Sequence, residues 1–362
     1  VTSRLPWFPE YIRENYPARG RLFGDFLGGL WATACDALEV PVDHAVRTTR
    51  MLRGLLPSWS GDVIGARPAR PSYVAADGFP AEMSVNWSGD HPELRVLFDT
   101  LGEEDPDSPV DTGETRYWGR IHELFTTRAG RPSTAPLWHS VAWRPPSRIV
   151  HKSYFGLYEW PLSHRYAAVG EAMDRLGLSA AWDDARRRVE LADGEREIEF
   201  FAVDVADGAD ARVKVYYRNH GADLTEVNRV ASAARHHDAG AAAAAYRSLT
   251  GGRESAGVDA LSCLAFRSGA DRAAEATTYL RLPSLATGDA EAVDRTAGLL
   301  RGEGVDPGRF RALAAALAPG PLEGSTGLLE LVSHRAAGRR GDITTYFRFP
   351  VYDQTLATVD LG

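Results

Sequence analysis

At 362 residues, 44% of them hydrophobic and 25% charged, the chain has apolar content enough for one large core within one domain. A formal net charge of −8 argues against nucleic acid as a partner, and two cysteines, Cys35 and Cys263, are too few for a disulfide framework. No run of about 18 apolar residues and no signal-peptide pattern occurs, so a soluble, cytoplasmic chain without membrane contact is expected.

The first 60 residues carry two helical patterns, near 21–38 and 43–55. An extended run then reads Ala81-Glu82-Met83-Ser84-Val85-Asn86-Trp87, turns at Ser-Gly-Asp-His-Pro, and returns as Glu93-Leu94-Arg95-Val96-Leu97-Phe98. Four further pairs follow, at 136–144 with 148–158, 196–205 with 211–218, 261–267 with 275–282, and 327–334 with 342–350. Their connections, Arg-Pro-Pro-Ser, Asp-Gly-Ala-Asp, Ser-Gly-Ala-Asp and Gly-Arg-Arg-Gly, are turn chemistry, so five hairpins and ten strands are predicted. Between hairpins the apolar period becomes helical, over 114–128, 224–249 and 289–301. It does so also from a Ser163 cap through Tyr166, Val169, Met173 and Leu176 to Gly177, and from Asp306-Pro307 to Pro319.

Only two of the 41 basic residues are lysines, Lys152 and Lys214, and each precedes a tyrosine by two positions, in Lys152-Ser153-Tyr154 and Arg212-Val213-Lys214-Val215-Tyr216. A chain this rich in arginine keeps lysine where a compact point charge is wanted. The tyrosine strand recurs as Thr277-Thr278-Tyr279-Leu280-Arg281 and Thr344-Thr345-Tyr346-Phe347-Arg348. The tyrosine steps are 62 (154 to 216), 63 (216 to 279) and 67 (279 to 346) residues, an internal repeat.

Strand alternation sorts these residues into two faces. One reads Glu82, Ser84, Asn86; Lys152, Tyr154; Arg212, Lys214, Tyr216; Thr277, Tyr279, Arg281; Thr344, Tyr346, Arg348. The other reads Met83, Val85, Trp87; Phe155, Leu157; Val213, Val215; Leu280, Leu282; Phe347, Phe349. Helices need the apolar face, which leaves the polar and aromatic one toward a shared interior. About eight strands can be plugged by side chains alone, so ten can enclose a ligand chamber. The expectation is an α+β fold in one domain: a ten-stranded antiparallel barrel within a ring of helices, five hairpin–helix repeats over 70–352, with chemistry in the lumen.

Pro80-Ala81-Glu82-Met83-Ser84-Val85-Asn86, the Arg95 strand, the two lysine strands, Tyr279 and Tyr346 together resemble the aromatic prenyltransferases of the dimethylallyltryptophan synthase type, whose fold is the ABBA barrel. The resemblance runs from about residue 70 to 352. It implies a prenyl diphosphate donor and an indole-containing acceptor, with the diphosphate on Arg95, Lys152, Arg212 and Lys214, and Thr277, Arg281 and Arg348 placed with them. It implies a tyrosine shield of Tyr154, Tyr216, Tyr279 and Tyr346 around the allyl cation. Glu82 would accept the indole N–H, and His139, on the strand before Lys152, would take the ring proton. Thr277 departs from the glutamine common in fungal members and reaches less far toward a phosphate oxygen.

No cofactor is expected, and Mg²⁺ is not required: Asp183-Asp184-Ala185-Arg186-Arg187 is not DDxxD, and Glu103-Glu104-Asp105-Pro106-Asp107 reads as a solvated loop. Two alternatives stay open, a barrel with a phenolic or phenazine acceptor and a non-catalytic barrel that binds anions. Regiochemistry, donor length and free versus peptide-bound acceptor are not encoded legibly in the residues.

Overall fold

The computed structural model describes residues 18–88, 91–103, 118–128, 130–144, 148–190, 196–205, 211–257, 260–338, 341–349 and 351–352. Parts of four expected turns, residues 114–117 of an expected helix, and Glu104 to Asp107 fall outside the described residues.

Ten strands form: β1 (Ala81–Asn86), β2 (Glu93–Asp99), β3 (Leu137–Arg144), β4 (Arg148–Gly156), β5 (Ile198–Val205), β6 (Arg212–Asn219), β7 (Ala260–Arg267), β8 (Glu275–Arg281), β9 (Leu329–Arg335) and β10 (Asp342–Phe347). Each pairs antiparallel with its sequence neighbours, and β1 pairs with β10, from Met83 opposite Phe347 to Asn86 opposite Thr344, which closes the barrel and leaves no edge. The Ser268-Gly269-Ala270-Asp271 turn is a tight one, with Gly269 at φ 74° and the Ala270 N–H donating to the Arg267 carbonyl at 3.1 Å.

Nine helices among the described residues surround it: α1 (Phe23–Ala37), α2 (Val42–Leu55), α3 (Trp118–Thr126), α4 (Leu162–Arg175), α5 (Ser179–Val189), α6 (Leu224–Ala231), α7 (Ala239–Thr250), α8 (Asp289–Gly302) and α9 (Gly308–Leu317). The expected single helix over 224–249 is two, because Asp238 accepts from the Gly240 and Ala241 N–H groups at 3.0 and 2.9 Å and restarts the chain as α7. Ser163 does not cap α4; Pro161 takes the cap position and the helix begins at Leu162. Helix α5, not anticipated, seats Ala181, Trp182, Ala185 and Val189 against the barrel and turns its Asp184 out to Arg188 at 2.8 Å.

The outward strand residues form the core with the helices. Met83, Val85, Trp87, Leu280 and Phe347 pack with Trp31, Leu299 and Phe310 on one side; Phe155, Phe201, Val213 and Val215 pack with Trp118, Phe125 and Met173 on the other. Two register slips interrupt the alternation. One lies between Ile198 and Phe200, the other opposite Tyr346 and Phe347, and each leaves a glutamate, Glu199 or Glu330, as the extra residue of a β-bulge.

A buried carboxylate ties the barrel shut near the β1–β10 seam. Asp77 accepts from the N–H groups of Phe79 (3.1 Å), Val351 (2.9 Å) and Tyr352 (3.1 Å), joining the approach to β1 with the chain leaving β10. Asp77→Ala leaves three buried donors unpaired and is expected to cost about 3 kcal/mol, given roughly 1–3 kcal/mol per orphaned group with partial rehydration. Urea denaturation measures this; a loss below about 0.5 kcal/mol would show that the seam does not depend on the carboxylate.

Candidate active site

The repeat places one tyrosine on each of β4, β6, β8 and β10 at the same depth of the lumen. Their rings form an unbroken belt: Tyr154 to Tyr216 at 6.2 Å, Tyr216 to Tyr279 at 5.9 Å and Tyr279 to Tyr346 at 5.8 Å between centroids. Phe200 stacks on Tyr216 at 4.1 Å and meets Tyr154 at 6.1 Å. Burial pushes all four phenols above their ordinary range, so they stay neutral and present π faces.

One step along the strands lies a cavity of about 580 Å³, lined among others by Arg95, Lys152, Arg212, Lys214, Thr277, Tyr279 and Tyr346. The guanidiniums are held in place by carboxylates. Glu93 pairs with Arg95 at 2.6 Å, Asp204 with Arg212 at 2.9 Å, and Glu275 with Arg267 at 2.9 Å and with Arg335. The two lysines differ: neither ammonium has a hydrogen-bond or ion-pair partner among the described residues. Both lysines are pushed below their ordinary pKa by burial first, then Lys152 by Lys214 and the neighbouring arginines and Lys214 by Arg212 and Arg95. Across the strand from Lys152, Asp204 is buried, yet Lys152, Lys214 and Arg212 hold it at about 2. A polyanion in this cavity would restore full charge to both lysines.

On the far side of the tyrosine belt stands a second charged group. Burial raises the Glu82 carboxyl to about 8, with Arg348 and Arg281 opposing and Glu330 adding to the rise. Glu330, delivered by its bulge, takes Arg281 at 2.6 Å and Arg348 at 3.1 Å. Glu199, delivered by the other, takes Arg218 and accepts from the Tyr158 hydroxyl at 3.4 Å. Arg281 and Arg348 therefore stand with Glu82 and not with the lysines. Arg95, Lys152, Arg212, Lys214 and Thr277 come together, whereas those two arginines belong to the opposite end of the lumen.

His139 is not in the lumen, and its expected role as ring base is withdrawn. On β3 it is Trp138, Ser140 and Ala142 that face inward; His139 is opposite Ser153, one position out of phase with Lys152 and Tyr154. Its Nδ1 lies 3.0 Å from Ser153 Oγ, its ring meets Phe98 and Trp118 at 6.0 and 6.1 Å, and burial pushes its pKa down to about 3. Neutral and packed among helices, it cannot reach a ligand inside the barrel.

Glu199, Glu330, Arg218 and Phe200 escaped the sequence reading because bulges shift the alternation that exposes them. The adjacent aromatics Phe200-Phe201 and the spacing of the outward residues Leu329 and Val332 carry that phase slip. Among the described residues no group of three or more His, Cys, Asp or Glu side chains has metal-ligand spacing, and no helix is long and apolar enough to cross a membrane. Glu103, the described residue of the expected acidic loop, is bound by Arg70, Ser58 and the Trp59 N–H.

No protein-family model matches the chain. Among solved structures, it is similar to a 6-dimethylallyltryptophan synthase from Micromonospora olivasterospora, crystallised with DMASPP and Trp. The two share 29% identity and a TM-score of 0.81, over 92% of this chain and 99% of the other. A 5-dimethylallyltryptophan synthase from Streptomyces coelicolor, also with DMASPP and Trp, shares the fold at 22% identity and a TM-score of 0.78, over 92% and 97%. The prenyltransferase PriB does so at 23% identity and 0.76, over 92% and 97%. The closed ten-stranded barrel is the ABBA fold, and with its cationic cavity and tyrosine belt in one lumen the chain resembles the indole prenyltransferases of the dimethylallyltryptophan synthase type.

Proposed function

We propose that this protein transfers a dimethylallyl group from its diphosphate to the indole ring of tryptophan, with fixed protein cations in place of a metal. The observation that carries this reading is the pair of lysines, Lys152 and Lys214, without an ion-pair partner among the described residues and facing a cavity that adjoins an unbroken belt of tyrosines. Ionising an allylic C–O bond concentrates negative charge on the departing diphosphate. Donors already in place for that charge lower the barrier without solvent rearrangement. Arg95, Lys152, Arg212 and Lys214 supply them, and the Thr277 hydroxyl donates beside them. The allyl cation then lies against tyrosine faces, each worth about 0.5–2 kcal/mol to a cation, in a space closed to water.

At the other end, Glu82 as carboxylate accepts the indole N–H, orients the ring and feeds it electron density as the new C–C bond forms. The proton released on rearomatisation leaves to a diphosphate oxygen. Glu82, Glu199 and Glu330 against Arg218, Arg281 and Arg348 supply both signs of charge, which suits the α-ammonium and α-carboxylate of a free amino acid better than an uncharged phenol.

Turnover of dimethylallyl diphosphate with tryptophan in excess EDTA tests the proposal. Most of the rate should survive. Complete loss restored only by Mg²⁺ would overturn it.

The belt makes a separate demand. Tyr216→Ala or Tyr279→Ala opens it, so the ratio of dimethylallyl alcohol to prenylated product should rise even as total ionisation falls. A ratio equal to that of the unmodified protein would mean that these rings merely pack.

A further inference from the structure

The lumen contains one strong nucleophile that the transfer reaction does not use. Cys263 lies on β7 between its register partners Tyr216 on β6 and Thr277 on β8, and it is 1% exposed. Its thiol packs in a cluster of its own with Ala202 and Tyr216, against which Tyr154, Phe200 and Tyr279 rest. Three of the four belt tyrosines thus surround it. Burial raises the pKa of the thiol, with Lys214 and the Tyr216 side chain opposing the rise.

A buried cysteine is ordinarily an inert small hydrophobe. This one is distinguished by its neighbours. Lys152, 7% exposed and without a partner among the described residues, shares the lumen with it, as does Asp204 with its Oδ1 buried and unbonded. Polar groups left open in this way mark the cavity as ligand space, and that cavity is lined by Thr277, the register partner of Cys263 on β8, and by Lys214 and Tyr279. The fields of Lys214, Arg212 and Lys152 all act on the Cys263 sulfur. Burial keeps the thiol protonated, which matters little toward a carbocation, since a neutral thiol is already a better nucleophile than a phenol or water.

Resting on the transfer reading above, we propose that Cys263 is a self-alkylation site, whose thiol captures the allyl cation as an S-prenyl thioether when donor is bound without acceptor. The C1–O bond of the donor breaks with its electron pair leaving on diphosphate. A sulfur lone pair forms the C–S bond, and the thiol proton passes to a diphosphate oxygen. No further reactant is required. With acceptor in the lumen the indole carbon intercepts the cation first, so the acceptor protects the thiol. Without it, the dry belt offers the cation only return to diphosphate or attack by sulfur.

The test incubates the full chain with dimethylallyl diphosphate alone, follows diphosphate release, and maps thiol peptides by mass spectrometry. A parallel reaction contains tryptophan, with the prenylated product measured. Expected is one five-carbon prenyl unit on the Cys263 peptide, accumulating as activity decays and suppressed by tryptophan. Cys35, buried on α1 beside Thr48, stays unmodified, and Cys263→Ser acquires no adduct. The wild-type peptide map decides the matter even if that variant folds poorly. Diphosphate release and normal prenylation of tryptophan with an unmodified Cys263 would overturn this inference and leave the transfer reading intact. Equal labelling of Cys35 and Cys263 would overturn it as non-specific alkylation. Absence of both diphosphate release and tryptophan prenylation would remove the transfer reading, and this inference with it.

Discussion

Lys152→Ala and Lys214→Ala should each lower kcat/KM by on the order of 10²-fold or more while the fold persists. That is the usual scale for deleting one preorganised donor to developing charge. Neither ammonium has a hydrogen-bond or ion-pair partner among the described residues, so removing either breaks no ion pair there. Asp204 keeps Arg212 at 2.9 Å in each variant. Thermal unfolding should therefore show no loss, or a small gain from relieving the repulsion that pushes both lysines down. Lys→Arg should rescue poorly, because a planar fork cannot occupy the place of a compact ammonium. Kinetics within twofold of wild type in either alanine variant would make these lysines bystanders.

Glu82→Gln should separate acceptor activation from donor binding. It keeps size and a hydrogen-bond acceptor but removes the charge, so donor affinity holds or improves slightly while transfer to tryptophan drops steeply. A 1-methyl tryptophan acceptor, with no N–H to give, should be poor for wild type and nearly insensitive to the mutation. The same carboxyl makes a pH prediction. Raised to about 8 by burial, it is protonated below that pH and then presents no negative charge to the indole N–H. Transfer should climb as pH rises through about 8, and Glu82→Gln should lack that limb. If Glu82→Gln instead weakens donor binding and leaves turnover at saturation intact, the residue merely organises the Arg281 and Arg348 side of the lumen.

The fold was legible because most strands alternate cleanly and each turn carries its own chemistry. Met83, Val85, Val213, Val215 and Phe347 all face the helices as the alternation requires. The side chains around Lys152 and Tyr154 could be gathered for the same reason: a repeat that sets the same residue at the same depth of neighbouring hairpins assembles a ring. What escaped were the places where period two fails. Glu199 and Glu330 enter the lumen through bulges, and a bulge is set by cross-strand register, which no single strand displays. His139 failed for the opposite reason. Its strand alternates regularly, but Trp138 and Trp143 both being apolar hides which phase faces in, and only the pairing of His139 with Ser153 decides it. Arg281 and Arg348 share the inward strand face with the phosphate ligands, and face alone does not give depth; depth along the barrel, fixed by Glu330, separates them.

A crystal structure with the thio-diphosphate analogue of the donor and tryptophan tests the central claim most directly. The account predicts the diphosphate within hydrogen-bonding distance of Arg95, Lys152, Arg212 and Lys214, the prenyl chain between the faces of Tyr216 and Tyr279, and the indole N–H on Glu82. A diphosphate seated instead beyond the tyrosine belt, on Arg281 and Arg348, would contradict it.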